Sequence, residues 1–236
     1  MSVDEAALRE RLAAVKAQIA AACGDRAPPT LIAVSKGHPA EAIRVAYEAG
    51  HRDFGESYPQ EWRRKASALE DLPALRWHFI GHLQRNKTQW VMGKVALHHT
   101  VNSMPGLDEL ARRAWSSGCE QDVLLQVNLS GEASKRGCAP EEAAAFAQVL
   151  TRAPGLRWRG LMTLPPQDDD PRRWFRQLRE LRDKLAVDFA SDLKRSGASL
   201  ELLSMGMSGD FEHAIAEGAT HLRVGTAIFG PRPTRP

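Results

Sequence analysis

The pattern that most limits what this chain can fold into is an alternation, repeated eight times, of short apolar runs with amphipathic helical stretches. Leu31 to Val34 runs into Ser35-Lys36, and Pro39 then opens a helical stretch through Tyr47 that stops at Gly50. Asp53-Phe54-Gly55 precedes a helix over 58–69, and Trp77 to Ile80 precedes one over 84–92. Leu97 to Val101 leads to a helix over 105–117, Asp122 to Leu129 to one opening at Pro140, and Leu156 to Leu161 to a long one over 171–190. Leu200 to Leu203 precedes a helix over 209–216, and His221 to Val224 precedes the closing Gly225-Thr226 segment. Strands alternating with helices at this rhythm imply a parallel sheet, and eight units favour closure into a (β/α)₈ TIM-type barrel over an open doubly wound sheet. Leu8, Leu12, Val15 and Ile19 place an extra amphipathic helix over 3–22, ahead of the first strand.

Barrels of this kind run to about 200–250 residues as one unit, so residues 1–236 are expected to form a single domain. The acidic, proline-rich stretch from Pro165 to Pro171 reads as a βα loop, not as a linker. With 32 Lys and Arg against 29 Asp and Glu, the net charge is +3 and the signs are interspersed, so no nucleic-acid partner is expected. Cys23, Cys119 and Cys138 are odd in number and show no close C-x₂-C spacing, which fits a reducing cytoplasm. Asp4 and Glu5 sit in the first turn of the chain and no segment approaches the roughly 18 apolar residues of a membrane span, so neither export nor membrane insertion is expected.

In this fold the active face is built from the loops after the C-terminal ends of the strands. Those positions hold Lys36, Glu56-Ser57-Tyr58, Gly81-His82, Asn102-Ser103, Asn128 with Lys135 beyond it, Met162-Thr163, Ser204 to Ser208, and Gly225-Thr226. Ser204-Met205-Gly206-Met207-Ser208-Gly209 and Arg223-Val224-Gly225-Thr226 have the make-up of a phosphate cradle, and they follow strands seven and eight, where barrels of this type bind phosphate. Each segment alone equally describes an ordinary helix cap, and their coincidence is what points to an anion. Lys36 follows the apolar run Leu31-Ile32-Ala33-Val34, which would leave its amine partly desolvated and neutral enough for Schiff-base chemistry, although the flank alone also fits a solvated strand-end lysine. His78 and His82 are four apart and His98-His99 adjacent, but the first pair spans a strand and has no acidic partner nearby, so no metal is expected. His82 is a candidate pocket residue, whereas His78, His98 and His99 read as packing or surface positions; Trp62, Trp90, Trp115 and Trp158 read as packing.

Taken in order, Ala33-Val34-Ser35-Lys36, Phe54-Gly55-Glu56-Ser57-Tyr58, His78-Phe79-Ile80-Gly81-His82-Leu83-Gln84-Arg85-Asn86-Lys87, Gly160-Leu161-Met162, Leu203-Ser204-Met205-Gly206-Met207-Ser208 and Arg223-Val224-Gly225-Thr226-Ala227-Ile228-Phe229-Gly230 cover the chain from about residue 30 onward. This set resembles the pyridoxal phosphate homeostasis proteins, relatives of the barrel domain of alanine racemase. The resemblance implies pyridoxal 5′-phosphate (PLP) as cofactor, held by Lys36 as a Schiff base, with Ser208, Gly225 and Thr226 on its phosphate and Arg223 facing the pyridine nitrogen. It implies that Met205, Gly206 and Met207 line the ring and phosphate pocket, and that Asn128, Lys135 and His82 stand around its rim. Ser57 belongs to the same implied set but stands where Asn is typical, and Asn102 stands where Asp is typical, so the family's hydrogen bonds at those two positions do not transfer.

A guanidinium, with a pKa above about 12, does not readily protonate a pyridine nitrogen, and an unprotonated ring is a weak electron sink. Alanine racemases with the same pairing take a second base from a β-domain of a partner chain, and no such domain is expected here, where Gly230 is followed by six residues. Tyr47 and Tyr58 are the tyrosines, and of these Tyr58 alone lies near a strand's C-terminal end. The expectation is therefore a non-catalytic, monomeric protein that buffers PLP and delivers it to PLP-dependent apoenzymes. The alternatives are an amino-acid racemase and a Schiff-base aldolase that forms its link with a carbonyl substrate on Lys36.

Overall fold

In the computed structural model, residues 3–166 and 169–232 are described; Gln167 and Asp168, within the loop read from Pro165 to Pro171, lie outside them. Eight parallel strands close into one barrel in sequence order, as the alternation predicts. They are β1 (Thr30–Val34), β2 (Asp53–Glu56), β3 (Arg76–Phe79), β4 (Leu97–Val101), β5 (Gln121–Val127), β6 (Leu156–Thr163), β7 (Leu202–Ser204) and β8 (His221–Val224). The helices are α1 (Glu5–Cys23), α2 (Ala40–Glu48), α3 (Pro59–Ala68), α4 (Thr88–Val91), α5 (Met104–Ser117), α6 (Ala143–Leu150), α7 (Pro171–Asp188), α8 (Ala190–Ser196), α9 (Phe211–Ala216) and α10 (Thr226–Phe229). None is long and apolar enough to cross a membrane.

Closure is made by β1 and β8, paired from Thr30 opposite His221 to Ala33 opposite Val224. The extra helix α1 begins at Asp4, whose carboxylate accepts the Ala7 amide, and buries Leu8, Leu12, Val15, Ile19 and Cys23. It packs on α2, α9 and α10, which places it over the seam where the first and last units meet. Arg11 reinforces this by donating from Nε to the Ile228 carbonyl at 2.8 Å.

Three boundaries differ from the sequence pattern for local reasons. The stretch read as a helix over 84–92 is a 3₁₀ turn at Arg85–Lys87 followed by the single-turn α4, and Gly93 at φ +70° ends it. The strand read to Leu129 stops at Val127, because the Asn128 amide donates to the Cys138 carbonyl and so leaves the ladder with β6. The helix read over 171–190 breaks at Phe189 into α7 and α8. Trp115 is 73 % exposed, not packed: α5 buries Leu107, Leu110 and Ala114, and Trp115 falls one residue off that stripe.

The core has two parts. The larger fills the space between barrel and helices, and a small apolar cluster of Leu97, Leu124 and Met162, with Leu202 against it, occupies the barrel interior. Strand alternation divides neighbouring residues between the two. His99 points inward, where Nδ1 is 2.8 Å from Ser204 Oγ across the barrel, and His98 points outward to stack on Phe79 at 5.5 Å between centroids. The interior leaves no room for side chains at certain points: a Cβ on Gly160, which lies at φ +147°, would sit 1.8 Å from the Leu202 carbonyl oxygen.

His98 is 2 % exposed and neither ring nitrogen has a hydrogen-bond partner among the described residues, so it carries unsatisfied polar atoms in an apolar layer. Burial pushes its pKa down to about 3, from 6.5, so the folded state holds it neutral. Stability linked to it is complete above pH 6.5 and is lost as pH falls toward 3. We therefore expect His98→Leu to raise the free energy of urea unfolding at pH 7 by about 1–2 kcal/mol. The same variant should lose less stability between pH 6.5 and 4, while His51 and His221, each pushed down to about 4, keep a residual acid slope. An unchanged or lowered midpoint would contradict this account of His98.

Candidate functional site

A cavity of about 550 Å³ opens at the C-terminal ends of β1, β6, β7 and β8. That size is in the range of small-molecule sites. Lys36, Arg223, Met207, Ser208, Gly225 and Thr226 line it, with Val34, Ile80 and Met162 as its apolar floor and Leu164, Pro165, Pro166, Asp169 and Pro171 of the loop after β6 as a wall. The β1–β8 pairing brings residues far apart in sequence together: a Cβ on Gly225 would lie 3.3 Å from the Val34 carbonyl oxygen.

The segment after β7 is folded by its own side chains. Asp210 Oδ1 accepts the Met207 amide at 2.5 Å, and the Asp210 and Phe211 amides return to the Met207 carbonyl. Ser208 Oγ is 3.5 Å from the Ala227 amide and so links this turn to the one after β8. The Ser208, Gly209 and Thr226 amides have no hydrogen-bond partner among the described residues, and all three residues line the cavity. Backbone donors gathered at the ends of two adjacent strands form an anion cradle.

Lys36 stands between this cradle and a second cavity of about 520 Å³, lined by Gly37, Tyr58, Gln60, Glu61, Arg64 and Arg232. Its neighbours in the chain are clamped from both sides. Lys65 Nζ donates to the Ser35 carbonyl at 2.7 Å, to Glu56 Oε1 at 2.6 Å and to Glu61 Oε1 at 2.8 Å. Glu61 Oε1 also accepts the Gly37 amide at 2.6 Å, and Ser35 Oγ donates to Glu56 Oε1 at 2.6 Å. Burial lowers the Lys36 pKa, and the charges of Arg232 and Arg223 lower it further against the opposing pull of Glu56 and Glu61. The neutral amine needed for attack on a carbonyl is thereby made more available. Burial raises the Glu56 pKa, and Lys65 opposes that rise.

Arg223 is buried, with Nη1 donating to Ser204 Oγ at 2.6 Å and Nη2 to the Thr163 carbonyl at 2.8 Å. Neither partner is a carboxylate, and burial pushes its pKa down to about 10. A desolvated guanidinium with neutral partners, facing a cavity, suits an electron-rich acceptor atom on a bound molecule.

The structure brings Lys36, Met207, Ser208, Arg223, Gly225 and Thr226 into one cavity and leaves the other sequence-derived candidates outside it. Met205 is fully buried in the core between barrel and helices, because it follows the inward-facing Ser204 and alternation turns it outward. Gly206 packs against Ala214, Leu222 and Phe211 and serves through its carbonyl, which accepts the Arg223 amide at 2.9 Å. Asn128 donates to the Glu132 and Lys135 carbonyls of its own loop, and Lys135 pairs with Glu132 at 3.4 Å. His82 is exposed beside Asn102, whose amide reaches Gln126 at 3.4 Å. Ser57 is half-buried with its backbone against Gly81, where a Cβ would meet the Ser57 carbonyl oxygen at 1.9 Å. Glu61 and Lys65 were not singled out in the sequence; their four-residue spacing on α3 is that of an ordinary surface pair. Among the described residues no group of three or more His, Cys, Asp or Glu is placed to hold a metal ion.

A closed parallel barrel with a lysine after its first strand and an anion cradle after its seventh and eighth defines the class of the alanine racemase N-terminal domain, whose family model matches residues 3–233. The pyridoxal phosphate homeostasis protein of Aquifex aeolicus (strain VF5) is 43% identical over 231 residues, covering 94% of this chain and 97% of that relative. The protein of that name from Pseudomonas aeruginosa is 44% identical over 229 residues, covering 95% and 96%. Among solved structures, PipY of Synechococcus elongatus PCC7942 with PLP bound superposes with a TM-score of 0.83 at 38% identity, covering 94% of this chain and 100% of that one. This chain belongs to the pyridoxal phosphate homeostasis protein family.

The clamp around Lys36 rests on the Lys65 charge, and removing one partner of a buried pair leaves the other uncompensated. Lys65→Met is expected to lower the free energy of urea unfolding at pH 7 by about 3–5 kcal/mol. Adding Glu56→Gln should recover more than half of that loss. A Lys65→Met loss below about 1 kcal/mol would show that the clamp is an ordinary exposed pair.

Proposed function

We propose that this chain binds PLP in the cavity of about 550 Å³, with Lys36 attached to the cofactor aldehyde as a Schiff base, and that it holds and hands on the cofactor instead of using it for turnover. The observation that carries the reading is the meeting, among the described residues, of a partly desolvated amine, a set of unpartnered backbone donors and a guanidinium hydrogen-bonded to neutral groups in one cavity. These match the aldehyde, the phosphate and the ring nitrogen of PLP. The PLP-bound state of PipY supports the same assignment. When bound, the cofactor supplies an aldehyde that one amine can capture and another can take over by exchange. Ser208 Oγ and the Ser208, Gly209 and Thr226 amides bind the phosphate dianion, and Gly225 lets the β8 backbone come close to it. Arg223 donates a hydrogen bond to the ring nitrogen but does not protonate it, which keeps the ring a weak electron sink.

The lining of the cavity favours a carrier over a racemase. Among the described residues it contains no histidine, tyrosine, cysteine or second lysine. The carboxylates among the described lining residues are already engaged, Asp210 with the Met207 amide and Asp169 with Arg173 at 2.8 Å. Tyr58 is 59 % exposed and lines the neighbouring cavity. Release by amine exchange fits delivery to PLP-dependent apoenzymes, and the three free cysteines fit a reducing cytoplasm. A monomer completes the reading.

Titration of the purified protein with PLP is expected to produce a visible absorbance band that Lys36→Ala abolishes. Incubation of the loaded protein with L-alanine or L-serine should cause no loss of optical activity beyond that of Lys36→Ala. A PLP band that persists unchanged in Lys36→Ala would exclude the Schiff base, and Lys36-dependent racemisation would overturn the carrier reading. Trapping of a carbonyl substrate on Lys36 without any chromophore would favour the aldolase alternative.

A further inference from the structure

Below the cavity, the barrel interior holds a line of polar side chains of which the proposed function uses Arg223 alone. It runs from Arg223 on β8 to Ser204 on β7, His99 on β4, His78 on β3 and Asp53 at the start of β2. Ser204 Oγ is 2.6 Å from Arg223 Nη1 and 2.8 Å from His99 Nδ1; His99 Nε2 is 3.1 Å from His78 Nδ1; His78 Nε2 is 3.0 Å from Asp53 Oδ1. All five residues are buried, and the β4 to β7 step joins strands that are not neighbours, so the line crosses the barrel interior. Asp53 also meets Arg76, whose side chain is 58 % exposed, with Nη2 to Oδ2 at 2.5 Å at the opposite end of the barrel from Lys36.

With both imidazoles neutral, the chemistry of the two ends sets a direction. A guanidinium has only donors and a carboxylate only acceptors, while a hydroxyl and a neutral imidazole offer both. Every contact is satisfied when donation runs one way: Arg223 to Ser204, Ser204 to His99, His99 to His78, and His78 to Asp53. Both imidazoles then carry the proton on Nε2. Burial holds the His99 pKa well below 6.5, in keeping with a neutral ring, and the His221 ring packs with its centroid 5.9 Å from that of His99 and 6.0 Å from that of His78. Arg223, which contacts no carboxylate among the described residues, is thus joined to a distant one through polarisable groups.

We propose that this one-way chain makes Asp53 a positioning residue for the cofactor: its charge, passed through His78, His99 and Ser204, orients Arg223 and keeps it donating toward the ring nitrogen. The part concerning the ring rests on PLP binding as proposed above; the chain and its coupling to Arg223 do not.

The test uses ¹⁵N NMR of the full chain without cofactor, followed by PLP titration. His78 and His99 should both be Nε2–H tautomers, and a Nδ1–H tautomer or an imidazolium at either would overturn the chain. Asp53→Asn should shift the Arg223 guanidinium resonances, whereas Arg76→Ala, which removes the exposed ion pair and leaves the carboxylate, should not. Should Asp53→Asn fail to fold, His78→Phe breaks the same line and should shift Arg223 in the same way. Ser204→Ala interrupts the line next to Arg223, so Asp53→Asn added to Ser204→Ala should produce no further Arg223 shift. Independent shifts from the two would overturn the coupling. With PLP, Asp53→Asn should weaken binding about tenfold, a hydrogen bond's worth, and move the visible band, while Arg76→Ala stays within about twofold of wild type. Equal effects of Asp53→Asn and Arg76→Ala would reduce Asp53 to a structural role. A wild-type chain that binds no PLP, with Asp53→Asn still shifting Arg223, would overturn the cofactor reading and support the coupling.

Discussion

The hydrogen-bonded ladder between β1 and β8 is the constraint on which the site depends. Its register sets Ile32 beside Arg223 and Ala33 beside Val224, so that the residues leaving the ends of these strands, Lys36 on one side and Gly225-Thr226 on the other, share a cavity wall. Nearly the whole chain separates them in sequence, and closure of a parallel barrel is what makes them neighbours. The additional helix α1 acts on this same seam. It buries one apolar face across α2, α9 and α10, and Arg11 holds the Ile228 carbonyl of the helix that starts at Thr226. Stability at the seam and integrity of the anion cradle are therefore one problem.

The barrel interior is divided between an apolar cluster around Leu97, Leu124 and Met162 and a polar line from Asp53 to Arg223. Burying a polar group is tolerable when it is hydrogen-bonded and costly when it is not. Each polar group of the interior line finds a partner, whereas outward-facing His98, one residue from His99, finds none among the described residues. The interior line thus sets a guanidinium at the floor of the cavity. A cation there favours an unprotonated ring in a bound pyridine, and the cavity offers no free acid or base beside Lys36 among the described residues. Both features favour retention and exchange over turnover.

Much of the fold was legible in the sequence because a β/α repeat writes itself into local periodicity: the apolar runs at 31–34 and 97–101 and the helix stripe of Leu8, Leu12, Val15 and Ile19 lie where they were expected. Lys36, Ser208, Arg223 and Thr226 were legible because strand ends of a barrel converge on one face. Proximity to a strand end does not say which way a side chain turns. Met205 is lost to the outer core by alternation, Asn128 is consumed by the hydrogen bonds of its own loop, and Lys135 pairs with Glu132 within that loop. Lys65 and Glu61 carry the spacing of a solvated helix pair, and nothing local distinguishes them from one; their burial against Ser35 and Glu56 is purely tertiary. The histidines of the interior line were read as packing or surface, since hydrogen bonds between β3, β4 and β7 leave no trace in spacing along any one strand.

The central claim, that Lys36 is the residue that holds PLP, is tested most directly by borohydride reduction of the PLP-loaded protein followed by peptide mass mapping. A single pyridoxyl group on the peptide carrying Lys36 is the predicted result. A label on Lys65 or Lys135, or spread over exposed lysines with Lys36 unmodified, would contradict the account.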